Sequence, residues 1–418
     1  AGFSYAKLEE IVDQLLDSEG FGVRWGRHWL DVVRYAESNG REANIVYPHA
    51  WRYRDYVIDS VNADVPYDQF LTEQIAGDLL PYDDEAQRAR LLIATGFLAI
   101  GPKGLANQDK PQFAADLVDE QLDATSRAFL ATSIACARCH DHKADPISMK
   151  DYYALIGIFR STKTYYGTWV DSENNNGGEL IELPDLPGQL KPGQSLSKEK
   201  VAELKAQLAE LNAQEEKNKK MSASMMGGKK MKREDFNTAL REALRIYWSR
   251  GGLRGKLAAV DDSGAPLPLC MGVTEAPEMK DSPLYYRGDL KNPGEEIARG
   301  VPALFGMAEA PPADENQSGR LAFAHWVIDP ENPLTARVMT NRVWGNLFGE
   351  ELVRTMDNFG HTGESPSHPE LLDYLAINFK EEGWSLKSLV KEIVMSRAYR
   401  QSSTYRKESF FKDPDNRL

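Results

Sequence analysis

Apolar residues recur at spacings of three and four over long stretches at both ends of this 418-residue chain, which commits most of it to α-helix. In the first part the pattern covers residues 5–16, 25–36, 67–75, 88–98 and 113–134, with Pro48, Pro66, Pro81 and Pro102 falling between candidate helices, where a missing N–H costs least. It returns over 321–328, 334–348, 369–379 and 386–395, with Ser367 and Ser385 just ahead of the last two as expected caps.

Between these stretches the character changes. Asn174, Asn175, Asn176, Gly177 and Gly178, followed by Pro184, Pro187 and Pro192, predict loops and short strands over about 166–196. Ser197 then caps a helix marked by Val201, Leu204, Leu208 and Leu211, and a second helix offers Phe236, Leu240, Leu244 and Tyr247. The pair reads as an antiparallel hairpin over 197–250. Its tip, 221–232, holds four Met, three Lys and a Gly-Gly, and reads as a solvated loop before a partner-binding surface. Frequent Pro and Gly over 253–305, with short apolar runs such as 267–273, predict a small β-rich unit. The expected fold class is therefore mainly α-helical and multidomain: a helical unit over 1–165, an insert over 166–310 with the hairpin and the β-rich segment, and a helical unit over 311–418.

A net charge of −13 repels phosphate backbones and anionic lipid, so nucleic acid is not an expected partner. No apolar run approaches the length of a membrane span. The chain begins Ala-Gly-Phe-Ser without a signal-like segment, and its last residues do not close a helix. Both features lead us to expect a processed or trimmed piece of a longer product.

Three cysteines cannot build a disulfide framework, and two of them stand three residues apart in Cys136-Ala-Arg-Cys139-His140-Asp-His142-Lys143-Ala-Asp145-Pro146. On a helix, positions i, i+3 and i+4 share one face. Cys136, Cys139 and His140 would then anchor a c-type haem through two thioethers and one imidazole, with His140 as the proximal iron ligand. A structural zinc site is the competing reading, but the chain holds no second Cys-x-x-Cys or His-x-x-x-His pair to complete it. A redox-active dithiol is the third reading, although that motif ordinarily opens a helix and here is expected to close one. Cys270 is left over.

His142 is rotated about 200° from His140 on a helix, so it is an expected neighbour rather than a second ligand, with Arg138, Lys143 and Asp145 as further neighbours. The sixth iron position would come from His28, His49, His325, His361, His368 or a Met, or stay open; His49 and His368, each beside a proline-marked loop, are the preferred distal candidates. Residues 24–35 place Arg24, Trp25, His28, Trp29, Asp31 and Arg34 on one helix. That helix either lines a pocket, with Arg24, Asp31 and Arg34 on a polar substrate, or is buried with paired charges.

Taken together these residues resemble the planctomycete cytochrome-like families of unknown function, in which a cytochrome-type helical domain precedes a second conserved domain. The first domain is similar to residues 24–35, 51–81 and 136–159, including Cys-x-Arg-Cys-His-x-His-Lys, Asp145-Pro-Ile and Asp151-Tyr-Tyr. The second is similar to Arg287-Gly-Asp, Asn292-Pro-Gly-Glu, Asn332-Pro-Leu-Thr-Ala-Arg337, Asn341-Arg-Val-Trp344 and Ser367-His-Pro-Glu-Leu-Leu-Asp373. The resemblance implies a secreted or periplasmic protein linked to breakdown of complex polysaccharide. Those families frequently carry a separate N-terminal cytochrome domain and a C-terminal continuation, neither of which falls within these 418 residues. The expected activity is electron transfer or a haem c-dependent oxidoreductase, with a redox protein, small molecule or carbohydrate as partner. The alternative is a non-redox hydrolase or carbohydrate-binding protein with a structural metal at the Cys-His block.

Overall fold

The computed structural model describes residues 5–40, 45–105, 107, 109–167, 179–184, 186, 195–225, 233–312, 314–402 and 404–414. The N-terminal helices are α1 (Tyr5–Leu16), α2 (Glu19–Val32), α3 (Ala50–Asn62), α4 (Tyr67–Ala76), α5 (Glu85–Ala94), α6 (Gly96–Ala99), α7 (Lys110–Leu130) and α8 (Met149–Arg160). Short strands and two long helices follow: β1 (Thr162–Tyr165), β2 (Ile181–Glu182), α9 (Lys198–Met225), α10 (Arg233–Ala258), β3 (Leu269–Cys270), β4 (Gly272–Glu275), β5 (Ser282–Tyr285) and β6 (Pro293–Ile297). The chain then returns to helix in α11 (Arg320–Val327), α12 (Thr335–Phe348), α13 (Pro369–Glu381), α14 (Leu386–Met395) and α15 (Lys407–Lys412). It is mainly α-helical, with a small β insert and a helical hairpin between two helical units, as the periodicity requires.

The strands form antiparallel pairs, β1 with β4, β2 with β3 and β5 with β6. A two-stranded ribbon is marginal on its own. These pairs lean on helices instead, β5 and β6 on α8, and β4 on α5 and α6.

Helices α9 and α10 pack as the expected hairpin, joined by an Arg250–Glu215 ion pair. Val201 and Leu204 of α9 and Ile246 of α10 are buried, whereas Leu240 and Leu244 face solvent. Residues 226–232 of the expected tip lie outside the described residues.

Two further expectations are corrected. Helix α7 stops at Leu130, where Ala131 takes a left-handed conformation and its N–H bonds back to Arg127, so the helix does not run on to 134. Ser367 does not cap α13. His368 flanks that helix, and the Ser367 N–H goes to the Leu352 carbonyl. Helices α3 and α8 went unpredicted, although Ser148 and Asp151 form a capping box at the start of α8 that was legible in sequence. Ser385 does cap α14, accepting from the Ser388 N–H.

The apolar core runs as one contiguous cluster from α1 to α14. Aromatic contacts carry it across the helical units: Trp29 stacks on Phe129, and Tyr67 meets Phe379 and Trp384. A buried ion pair completes the join. The Arg320 guanidinium, 0% exposed, donates to both carboxylate oxygens of Asp78 at 2.6 and 2.8 Å and to the Ile75 carbonyl at 3.1 Å. Among the described residues no helix is long and apolar enough to cross a membrane.

Candidate functional site

The Cys block lies just beyond α7, on a 3-10 turn over Ile134–Arg138 rather than on an α-helix. The turn opens with the Cys136 N–H bonded to the Ser133 carbonyl at 3.0 Å. With three residues per turn, side chains at i and i+3 eclipse one another. Ile134 and Ala137 take the inward face and are fully buried, so Cys136 and Cys139 share the outward one; both thiols are free and exposed. The α-helical face expected for Cys136, Cys139 and His140 is thus replaced by a 3-10 turn that ends at Arg138.

His140 follows, exposed, with Nδ1 2.7 Å from the Asp141 carbonyl oxygen. A carbonyl only accepts, so Nδ1 carries the proton and Nε2 keeps the lone pair that a metal takes. This is the orienting hydrogen bond that metal-ligating histidines ordinarily make through their second nitrogen.

His142 has another task. Its Nδ1 accepts the backbone N–H of Asp145 at 2.8 Å and of Ala144 at 3.3 Å, while Nε2 meets Ser133 Oγ at 3.1 Å. The Asp145 carboxylate also lies 3.3 Å from Nδ1, which would suit a charged ring. The shorter backbone contact needs a lone pair there, so we assign the neutral Nε2–H tautomer. With the His142 N–H on the Ile147 carbonyl and the Met149 N–H on Asp141 Oδ1, both at 2.8 Å, the imidazole ties the 141–149 loop to the Cys turn.

Neighbouring elements frame the turn. Tyr153 of α8 donates to the Arg138 carbonyl at 2.9 Å and reaches that of Tyr285 at 3.2 Å; burial pushes its phenol up to about 12. Arg138 pairs with Asp119 at 3.0 Å and Asp116 at 3.2 Å, holding the turn against α7. Lys143 is exposed. The turn between β5 and β6 brings Gly288 over Cys139: its φ is +70°, and a Cβ there would stand 2.9 Å from Cys139 Sγ. Asp145 faces away from the thiols and accepts the His361 N–H at 2.6 Å. A Cβ on Gly360 would meet the Asp145 carboxylate at 2.4 Å, so only glycine permits that approach.

The preferred distal candidates sit elsewhere. His49 flanks the start of α3, 6% exposed and packed toward β3, close to the Leu269 carbonyl but without a well-formed hydrogen bond at either ring nitrogen. Burial, helped by Arg52, lowers its pKa to about 4, and the Leu269 carbonyl offsets this only in part. His368 is exposed at the start of α13, with Nδ1 3.1 Å from Ser367 Oγ. His361 is the histidine that the fold ties to the Cys loop, a contact spanning the two helical units that no sequence spacing could reveal.

A tetrahedral ion needs three or four donors converging on one point. Among the described residues no group of three or more His, Cys, Asp or Glu is so gathered. Thioether attachment makes no such demand, because the sulfurs bond to the porphyrin edge and only the imidazole reaches the iron. Cys270 is apart from the block, 0% exposed on β3, its thiol pushed up to about 12 by burial.

A second concave site lies along α2. Trp25, His28, Trp29, Asp31 and Val32 line a cavity closed from the other side by α12. Asp31 lines the cavity, whereas Arg34 turns to a half-buried ion pair with Glu120.

Residues 2–164 match a family described as PSCyt2, protein of unknown function (DUF1549). Residues 319–418 match one described as PSD1, protein of unknown function (DUF1553). The first match contains the Cys block; the Arg287-Gly-Asp and Asn292-Pro-Gly-Glu motifs fall between the two. No curated protein and no solved structure matches the chain.

Proposed function

We propose that this chain is a c-type haem protein with a redox function outside the cytoplasm, its haem bonded to Cys136 and Cys139 with His140 as proximal ligand. One observation carries the reading. Two free, exposed thiols on and just after a 3-10 turn are followed at once by an imidazole whose Nδ1–H is fixed on a backbone carbonyl, leaving Nε2 its lone pair. When bound, the haem supplies one-electron redox capacity.

The chain's own residues supply the rest. Ile134 and Ala137 root the turn in the core, and Tyr153 and Arg138 hold its backbone. The Asp141 carbonyl orients the His140 ring and strengthens Nε2 as a donor. His142 keeps the following loop from drifting off the turn. Covalent attachment of this kind implies maturation in a periplasmic or extracellular compartment, and the acidic chain suits a soluble redox protein or neutral carbohydrate as partner better than nucleic acid.

The test is expression in cells that mature c-type cytochromes, followed by the mass of the denatured chain and the reduced absorption spectrum. One haem should survive denaturation on the chain and give a sharp reduced band. A colourless product with both thiols free to react would overturn the proposal and leave the non-redox reading with a structural metal.

A further inference from the structure

The cavity between α2 and α12 does not involve the Cys block, and nothing about it rests on a haem. Its volume is about 230 Å³, against the roughly 150 Å³ that holds a benzene ring in an engineered apolar cavity. Trp25 and Trp29 of α2, Phe70 of α4 and Met339 of α12 give it an apolar wall. The indole of Trp29 is fixed before any guest arrives: its Nε1–H points to Gln74 Oε1 at 3.0 Å and Tyr53 Oη at 3.2 Å, and Phe129 stacks on its ring at 5.8 Å. Trp25 is half-buried beside it, with Phe21 at 5.9 Å.

Two carboxylates in the same wall are unused. Asp31 is exposed and Glu351 half-buried, and neither side chain makes a hydrogen bond or an ion pair with a described residue. Glu351 lies along α12, so close to Gly345 that a Cβ there would stand 2.5 Å from its Cγ. A third carboxylate, Asp64, is already spent on the start of α14, where it accepts the Ser385 hydroxyl and the Lys387 N–H.

The basic groups in the wall do not answer them. Arg342 gives its terminal nitrogens to the Ala128 and Arg127 carbonyls and to Asp357. His28 is held below its ordinary pKa, chiefly by burial and next by Arg24, despite Asp31. Negative charge therefore stands beside fixed indoles, the pairing that receives an organic cation. An anion would meet the carboxylates, and a neutral guest would leave them unused.

We infer that the cavity binds an organic cation of the arylalkylamine type, with its ring against Trp25, Trp29 and Phe70 and its ammonium beside Asp31 and Glu351. The step from Trp25 to Asp31 is about 9 Å along α2, about the span of an aryl ring, a short methylene link and an ammonium. The aromatic wall holds the ring by area and attracts the charge, and the accessible carboxylates select an ammonium over a hydroxyl.

Titration calorimetry on the full chain tests this with phenethylamine, with phenethyl alcohol as its uncharged counterpart and with phenylacetate as the anion. Phenethylamine should bind most tightly, and an ionic strength of about 1 M, where the Debye length is about 3 Å, should bring it toward the alcohol. Asp31→Asn together with Glu351→Gln should weaken phenethylamine about tenfold, the worth of two partly exposed ion pairs, and leave the alcohol unchanged. Without ligand, that double variant should melt with the parent, because neither carboxylate is paired in the fold. Met339→Trp, which fills the cavity, should abolish binding of the amine. Equal or tighter binding of the alcohol or of phenylacetate, a double variant that keeps the parent's preference for the amine, or amine binding that survives Met339→Trp would each overturn the inference.

Discussion

His49 should make this protein acid-sensitive in a narrow window. Its imidazole is 6% exposed, near the Leu269 carbonyl but with no well-formed hydrogen bond at either nitrogen, and its pKa falls from 6.5 in the unfolded chain to about 4 in the fold. Between those values the unfolded chain binds a proton that the folded chain refuses, so stability rises with pH across the window and is lost on acidification. At about 1.4 kcal/mol per pH unit the full loss is about 3 kcal/mol. The loss begins near pH 6.5 and is complete below about pH 4. Urea unfolding at several pH values between 4 and 7, on the parent and on His49→Leu, isolates the effect, since the carboxylates common to both cancel in the difference. At pH 7 the variant should be as stable or more stable, by about 1 kcal/mol, because two nitrogens without well-formed hydrogen bonds are gone. At pH 4 its advantage should have grown by about 3 kcal/mol. A difference that stays flat between pH 4 and 6.5 would refute the reasoning. Because His49 packs toward β3, the variant should also leave any haem spectrum unchanged, and a shifted spectrum would restore it as an iron ligand.

Cys136→Ala and Cys139→Ala should each reduce covalent haem retention, read as mass on the denatured chain, whereas His140→Ala should keep the attachment and shift the absorption bands. Gly288→Ala should cost about 1–2 kcal/mol from its left-handed backbone, seen as a lower melting temperature, and should slow alkylation of Cys139 by crowding Sγ. Arg320→Met should destabilise the fold by about 3–5 kcal/mol in urea by leaving Asp78 buried without its partner. An unchanged urea midpoint would show that Asp78 finds water instead.

The helical units were legible because they depend on short-range spacing. Apolar positions three and four apart bury one side of a helix wherever it packs, which is why α1 and α14 fall where the pattern puts them. Spacing marked the block from Cys136 to His140 but not its backbone, which forms a 3-10 turn in place of the expected α-helix. Spacing failed where only contacts decide. Leu240 and Leu244 fit a seam on paper, but they are exposed and Ile246 is buried instead.

Sequence alone therefore determined the helical class and the hairpin, both set by rotation per residue along a local backbone. The tertiary structure alone decided which distant groups meet: Gly288 over Cys139, His361 on Asp145, His49 buried against β3, and Asp31 and Glu351 in the wall of one cavity between the helical units. Those meetings depend on how packed helices place loops far apart in the chain, and no period within a single element encodes them.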